Sequence, residues 1–281
     1  MAPVHHVAVG GTHVEVEELG AGEPVVVVQT ALTIDELDPL ARALAADFRV
    51  WHVRRPGYGA LGPLLGPGSI EGDADLVAAV IEQQAGVRAH VVGASYSAAV
   101  VLSVAARRPD VVESVVLVEP PPYATPGAAD FRAATSTMLL AKRQEGTGRA
   151  LDMIMGLIDG PDWRTHAERD LPGSVAAMER DAHTFFESDL PALLGWRLED
   201  ADAAGIHAPA LLVGGSESSA WFGEMLTRLE RVLAPTTRVA VIGAGHSVAL
   251  THPDEVAEAI RHHVRAVSPG TRAGGGAEDR S

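Results

Sequence analysis

The sequence predicts an α/β protein: a mainly parallel, eight-stranded sheet flanked by helices, with a helical cap inserted after the sixth strand. Short apolar runs rich in β-branched residues alternate with segments of helical length, the pattern of strands buried on both faces and joined by helical crossovers. Between residues 120 and 206 the alternation stops, and only helical periodicity broken by Gly and Pro remains.

The elements follow in order. Residues 4–9 and 13–18, either side of Gly10-Gly11, read as an antiparallel edge hairpin. Strands are predicted at 25–28 (four consecutive valines), 49–53, 89–92, 115–118, 210–213 and 238–242. Helices are predicted at 35–45, 74–84, 98–107, 217–232 and 254–264. Residues 1–119 and 207–267 would form the core and 120–206 the cap, its apolar faces supplied by residues such as Met138, Met153, Ile154, Phe185 and Phe186. These are either the cap's own packing or the wall of a pocket. The Gly-, Ala- and charge-rich tail, 268–281, reads as disordered.

Composition excludes several function classes. The net charge of −15 opposes an electrostatic grip on nucleic acid, which is not expected as a partner, or on anionic lipid. With no cysteine, disulfides, thiolate metal sites and cysteine nucleophiles are excluded. No Walker loop, dinucleotide fingerprint or spaced metal-ligand cluster occurs, so neither cofactor nor metal is expected. Residues 1–20 lack a signal-peptide pattern, and no apolar run approaches the roughly 20 residues of a membrane span. A cytoplasmic location without membrane insertion is expected. Oligomeric state is not legible.

The chemistry-bearing segment is Val91-Val92-Gly93-Ala94-Ser95-Tyr96-Ser97, where a predicted buried strand turns into a helix. Such a tight turn exposes a serine hydroxyl above the sheet at the positive end of a helix dipole, and needs small neighbours. The fifth position is Ser97 where the G-x-S-x-G pattern has glycine. Serine needs a base. Of the histidines, His5-His6 and His262-His263 near the chain ends read as solvated, whereas His246 follows the last predicted strand and so lies at the same sheet edge as Ser95.

On these residues the chain resembles the α/β-hydrolase superfamily, as a serine-nucleophile member with a helical cap. Arg54-Arg55-Pro56-Gly57-Tyr58-Gly59 is similar to the loop after that family's fourth strand, and Gly243-Ala244-Gly245-His246 to its late histidine loop. The resemblance spans residues 4–266 and implies a triad of Ser95, His246 and an acid. Glu217, after the seventh strand, matches the usual acid position; its bland role would be to cap the next helix. Glu119, at the end of the sixth strand, is the competing acid. The oxyanion donors would be the backbone N–H groups of Tyr96 and Ala31.

Gln29-Thr30 stands where the family has His-Gly. Either the Thr30 hydroxyl touches substrate, as such a threonine does in the superfamily's plant hydroxynitrile lyases, or it bonds backbone. Gln29, Thr30, Phe185 and Phe186 are the candidate pocket residues. Arg54 and Arg55 could anchor a substrate carboxylate or pair with surface acids. The leading expectation is a serine hydrolase cleaving an ester, thioester or lactone of an apolar small molecule. A lyase, cyclase or carbon–carbon-bond enzyme using the same pocket is the alternative, and an inactive ligand-binding homologue the second alternative.

Overall fold

The computed structural model describes residues 3–9, 12–61, 64 and 67–268. The Gly10-Gly11 turn and nearly all of the tail expected to be disordered lie outside the described residues.

Eight strands form one sheet: β1 (Val4–Val9), β2 (Thr12–Gly20), β3 (Pro24–Val28), β4 (Arg49–Arg54), β5 (Ala89–Ala94), β6 (Val112–Val118), β7 (Ala210–Gly215) and β8 (Thr236–Val241), in the order β1-β2-β4-β3-β5-β6-β7-β8. β2 runs antiparallel to β1 and β4, and every later pairing is parallel. The valines of β3 show why its run is continuous rather than alternating. Val26 and Val28 enter the core on one face of the sheet, Val25 and Val27 the core on the other, and all four are fully buried. Each burial contributes about 1.5 kcal/mol or more.

Helices α1 (Asp38–Leu44), α2 (Ile70–Val80) and α3 (Tyr96–Arg107) follow β3, β4 and β5. Between β6 and β7 come α4 (Ala128–Glu145), α5 (Thr147–Asp159), α6 (Trp163–Asp170), α7 (Ser174–Thr184), a π-helical turn at Phe185–Asp189, α8 (Leu190–Gly195) and α9 (Asp200–Ala204). The chain closes with α10 (Ala220–Val232) after β7, then α11 (Val248–Thr251) and α12 (Pro253–Val267) after β8. α2, α3 and α10 cover one face of the sheet, α1 and α12 the other.

Boundaries move where local chemistry dictates. α2 starts at 70 rather than 74 because Ser69 caps it, accepting from the Gly72 N–H at 2.9 Å. α10 starts at 220 rather than 217 because Ser219, not Glu217, is its cap. The insert has a core of its own, in which Leu151, Ile154, Trp163, Met178 and Phe186 pack together with Leu32 from the loop after β3.

Topology places the site. The connection from β3 goes to β4 on one side, whereas that from β5 goes to β6 on the other, so the chain parts between two adjacent parallel strands. In open α/β sheets the crevice at such a switch point, outside the carboxyl ends of the strands, is where ligands bind.

Candidate active site

Ser95 sits one residue past the end of β5 and is the N-cap of α3, with φ 48° and ψ −117°. A non-glycine residue holds that backbone only where its surroundings over-determine it. Here they do. The Ser95 N–H donates to Val118 O at 2.9 Å, and a Cβ on Gly93 would collide with the Ser97 carbonyl, so only glycine lets α3 cross this close to β5. The serine at position 97 has a local purpose: its hydroxyl accepts from the Ala94 N–H at 2.9 Å and lies 3.0 Å from the Ala94 carbonyl.

His246 Nε2 lies 3.1 Å from Ser95 Oγ, and His246 Nδ1 lies 3.2 Å from Glu119 Oε2. Glu119, directly after β6, is buried, with φ 47°. Its other oxygen accepts from the Gly215 N–H at 2.8 Å. Phe222, in the first turn of α10, stacks on the imidazole with ring centroids 4.0 Å apart, fixing its plane. Phe222 carries no signal of this role in the sequence, because nothing in the helical pattern marks which residue of a first turn faces a distant loop.

Glu217 is corrected here as the orienting acid. It is exposed, its backbone N–H donates to Ala244 O at 2.9 Å, and the Nδ1 side of His246 is already occupied by Glu119. The physical reason lies in the sheet: β7 runs on to Gly215 and its exit packs against the backbone of residues 244–245, which ties the backbone of Glu217 to the histidine loop and leaves its side chain exposed. Adjacency was the available signal, since β5 and β6 pair Ala94 with Val118, which puts Ser95 and Glu119 one step beyond the same rung.

A cavity of roughly 1170 Å³, its open mouth included, runs from Ser95 and His246 beneath the insert. Ser95, Tyr96, Thr30, Ala31 and His246 form its floor, and Phe131, Ile154, Met155, Met178, Phe185 and Leu190 its apolar wall. The N–H groups of Ala31 and Tyr96 make no backbone hydrogen bond among the described residues, Tyr96 being the first residue of α3. The Thr30 hydroxyl donates to Ala94 O at 2.8 Å, so it bonds backbone, though of the neighbouring strand rather than its own.

Two of the other pocket expectations are corrected. Gln29 is fully buried behind the floor, where its Oε1 accepts from the Arg55 N–H at 2.8 Å. Phe186 is 1 % exposed and packs edge-to-face against Phe185 at 4.9 Å, so Phe185 faces the cavity and Phe186 backs it. The turn through Phe185–Asp189 is π-helical, which rotates successive side chains away from α-helical spacing. Nor does Arg55 reach a ligand: its guanidinium is buried between Asp189, at 2.7 and 3.0 Å, and Asp73, at 3.0 Å. Arg54 pairs with Asp35 and Asp38. His263, expected to be solvated, is buried, and burial holds its imidazole down to about 4.

Among the described residues Glu36, Asp159, Asp170 and Asp189 line the cavity, and no Lys or Arg does. Burial, with Asp159 adding repulsion, pushes the Glu36 carboxyl up to about 7, against the pull of His246 and Ser247. Among the described residues no cluster of three or more His, Cys, Asp or Glu could hold a metal ion, and no helix is long and apolar enough to cross a membrane.

Among solved structures, the chain is similar to the enol-lactonase of Burkholderia xenovorans LB400, with TM-score 0.78 and 21% identity over 92% of this chain and 99% of that one. A thermophilic esterase from Thermogutta terrifontis aligns with TM-score 0.78 and 20% identity over 95% and 99%. An alpha/beta hydrolase from Sphaerobacter thermophilus gives TM-score 0.74 and 28% identity over 92% and 100%. No curated protein matches the chain. The profile of the alpha/beta hydrolase family matches residues 31–259, from the loop after β3 through the turn at Ser95 and the insert into α12, and the chain belongs to that family.

Proposed function

We propose that the protein is a serine hydrolase that cleaves an ester, thioester or lactone of a mostly apolar small molecule carrying no negative charge near the reacting carbonyl. The observation that carries this reading is the continuous relay from Ser95 Oγ through His246 to Glu119, opening into a cavity with an apolar wall. Ser95 Oγ attacks the carbonyl carbon while His246 Nε2 takes its proton, and Glu119 steadies the resulting imidazolium. The oxyanion settles between the Ala31 and Tyr96 N–H groups at the positive end of α3. Collapse expels the alcohol or thiol, which takes the proton from His246. Water then attacks the acyl-serine, again through His246, and releases the acid. In a lactone the leaving hydroxyl stays on the product.

The lyase alternative asked Thr30 to offer its hydroxyl to the substrate, and that proton is committed to Ala94 O. An intact relay also counts against an inactive binding protein. The test is a serine-directed fluorophosphonate. Labelling is expected at Ser95, absent in Ser95→Ala and strongly slowed in His246→Ala. A folded protein that stays unlabelled at high reagent excess overturns the hydrolase reading.

A further inference from the structure

The loop that carries the Ala31 donor is held in an unusual way. Leu32 has φ 70°, a left-handed backbone that a non-glycine residue keeps only where its surroundings hold it. Its N–H donates to the phenol oxygen of Tyr58 at 2.9 Å. That phenol in turn donates to Asp189 of the insert, whose carboxylate is gripped bidentately by Arg55. Arg55 also bonds Asp73, and Asp73 Oδ2 accepts from the Tyr96 hydroxyl at 2.9 Å. Tyr58 and Arg55 are 0 % and 1 % exposed, as is Asp189 at 0 %. Burial and the Asp189 charge hold the Tyr58 phenol well above its ordinary range, so it keeps its proton and can donate and accept together.

One buried cluster therefore touches the neighbour of one oxyanion donor and the side chain of the other. Nothing in the relay of Ser95, His246 and Glu119 uses it. We propose that Tyr58 is a positioning residue for the oxyanion loop: with its phenol fixed by Asp189, it holds Leu32 and thereby Ala31 where the carbonyl oxygen becomes an oxyanion. This rests on the serine-hydrolase reading. It makes the insert part of the catalytic apparatus, because Asp189 lies in the π-helical turn that also lines the cavity. Displacing that turn releases Tyr58, and with it the loop.

The test uses Tyr58→Phe on the full chain with a neutral p-nitrophenyl ester. Loss of a whole oxyanion donor costs about 10²–10³ in kcat, so a misplaced one is expected to cost about 10- to 100-fold, with KM moving less than about twofold. Acylation and deacylation slow together, since both pass through an oxyanion. Amide hydrogen exchange at Leu32 accelerates. Asp189→Asn keeps an acceptor for the phenol but leaves Asp73 as the counter-charge of Arg55, so it lowers the melting temperature as well; assayed where it is folded, it gives a loss of kcat of the same kind and carries the test should Tyr58→Phe fail to fold. Tyr123→Phe, which removes a hydroxyl bonded to Glu199 outside the cluster, leaves kcat unchanged. A folded Tyr58→Phe with lower melting temperature but wild-type kcat overturns the proposal, as does a rise in KM alone. In those cases the wild type still labels at Ser95. A wild type that does not label overturns the hydrolase reading, and this proposal with it.

Discussion

Ser114 Oγ lies 2.7 Å from His90 Nδ1, and His90 Nε2 lies 3.1 Å from Glu23 Oε1, so the molecule contains a second Ser–His–Glu chain besides that of Ser95. Ser114 and His90 are fully buried toward the opposite end of the strands, where no substrate can reach. There the same three residue types satisfy polar groups from the start of β3 across β5 to β6. What separates Ser95 is its place past a strand end, on a strained backbone, facing a cavity. The same reasoning ranks the acids. Glu119→Gln should lower kcat by up to about 10⁴, the cost of losing the orienting carboxylate in a well-studied triad, whereas Glu217→Gln should stay near wild type. Steady-state kinetics of the two purified variants decide this, and the reverse ranking would return the acid to the loop after β7.

At the level of elements, the π-helical turn at Phe185–Asp189 does three things that a regular helix would not do together. It turns Phe185 into the cavity, buries Phe186 in the core of the insert, and brings Asp189 to Arg55 and Tyr58. The two phenylalanines should therefore separate by experiment. Phe185→Ala enlarges the cavity and should shift the preferred acyl chain to a longer one, each added buried methylene gaining up to about 0.8 kcal/mol. Phe186→Ala should cost about 3–5 kcal/mol in urea unfolding while leaving chain-length preference as it was. If both variants change selectivity alike, the turn does not divide the roles this way.

Charge acts over the whole molecule. A net charge of −15 surrounds a cavity whose described lining has no Lys or Arg and holds Glu36, Asp159 and Asp170 besides the Arg55-paired Asp189, so an anionic substrate is expected to meet repulsion both in approach and in place. Glu36 makes this dependent on pH. With its carboxyl near 7 it is mostly neutral at pH 6 and ionised at pH 8, so the cavity gains negative charge as pH rises. The ratio of kcat/KM for a neutral butyryl ester to that for a hemisuccinyl ester with the same leaving group should accordingly grow between pH 6 and 8, by about 3- to 10-fold. Added salt should shrink the discrimination, and Glu36→Gln should flatten its pH dependence. A ratio that falls with pH would contradict the sign of the effect.

Much of this was legible in the chain itself. Val25–Val28 announced a strand buried on both faces, the absence of strands between β6 and β7 announced the helical insert, and the glycine at 93 with serine at 95 announced a tight turn between strand and helix. These are local properties: side-chain branching, period and steric tolerance act on neighbours in sequence, so sequence determines them. His246 was legible because a residue just after a parallel strand must emerge at the same sheet edge as Ser95. The acid was not, since Glu119 and Glu217 both follow strands, and the choice depends on which strand lies beside β5 and where the chain leaves β7. Arg55 and Tyr58 were visible as a motif, but their partner Asp189 comes from the other side of the insert. Only the tertiary structure could bring that carboxylate to a buried guanidinium, because a charge pays for burial through its partners, and partners distant in sequence leave no local trace.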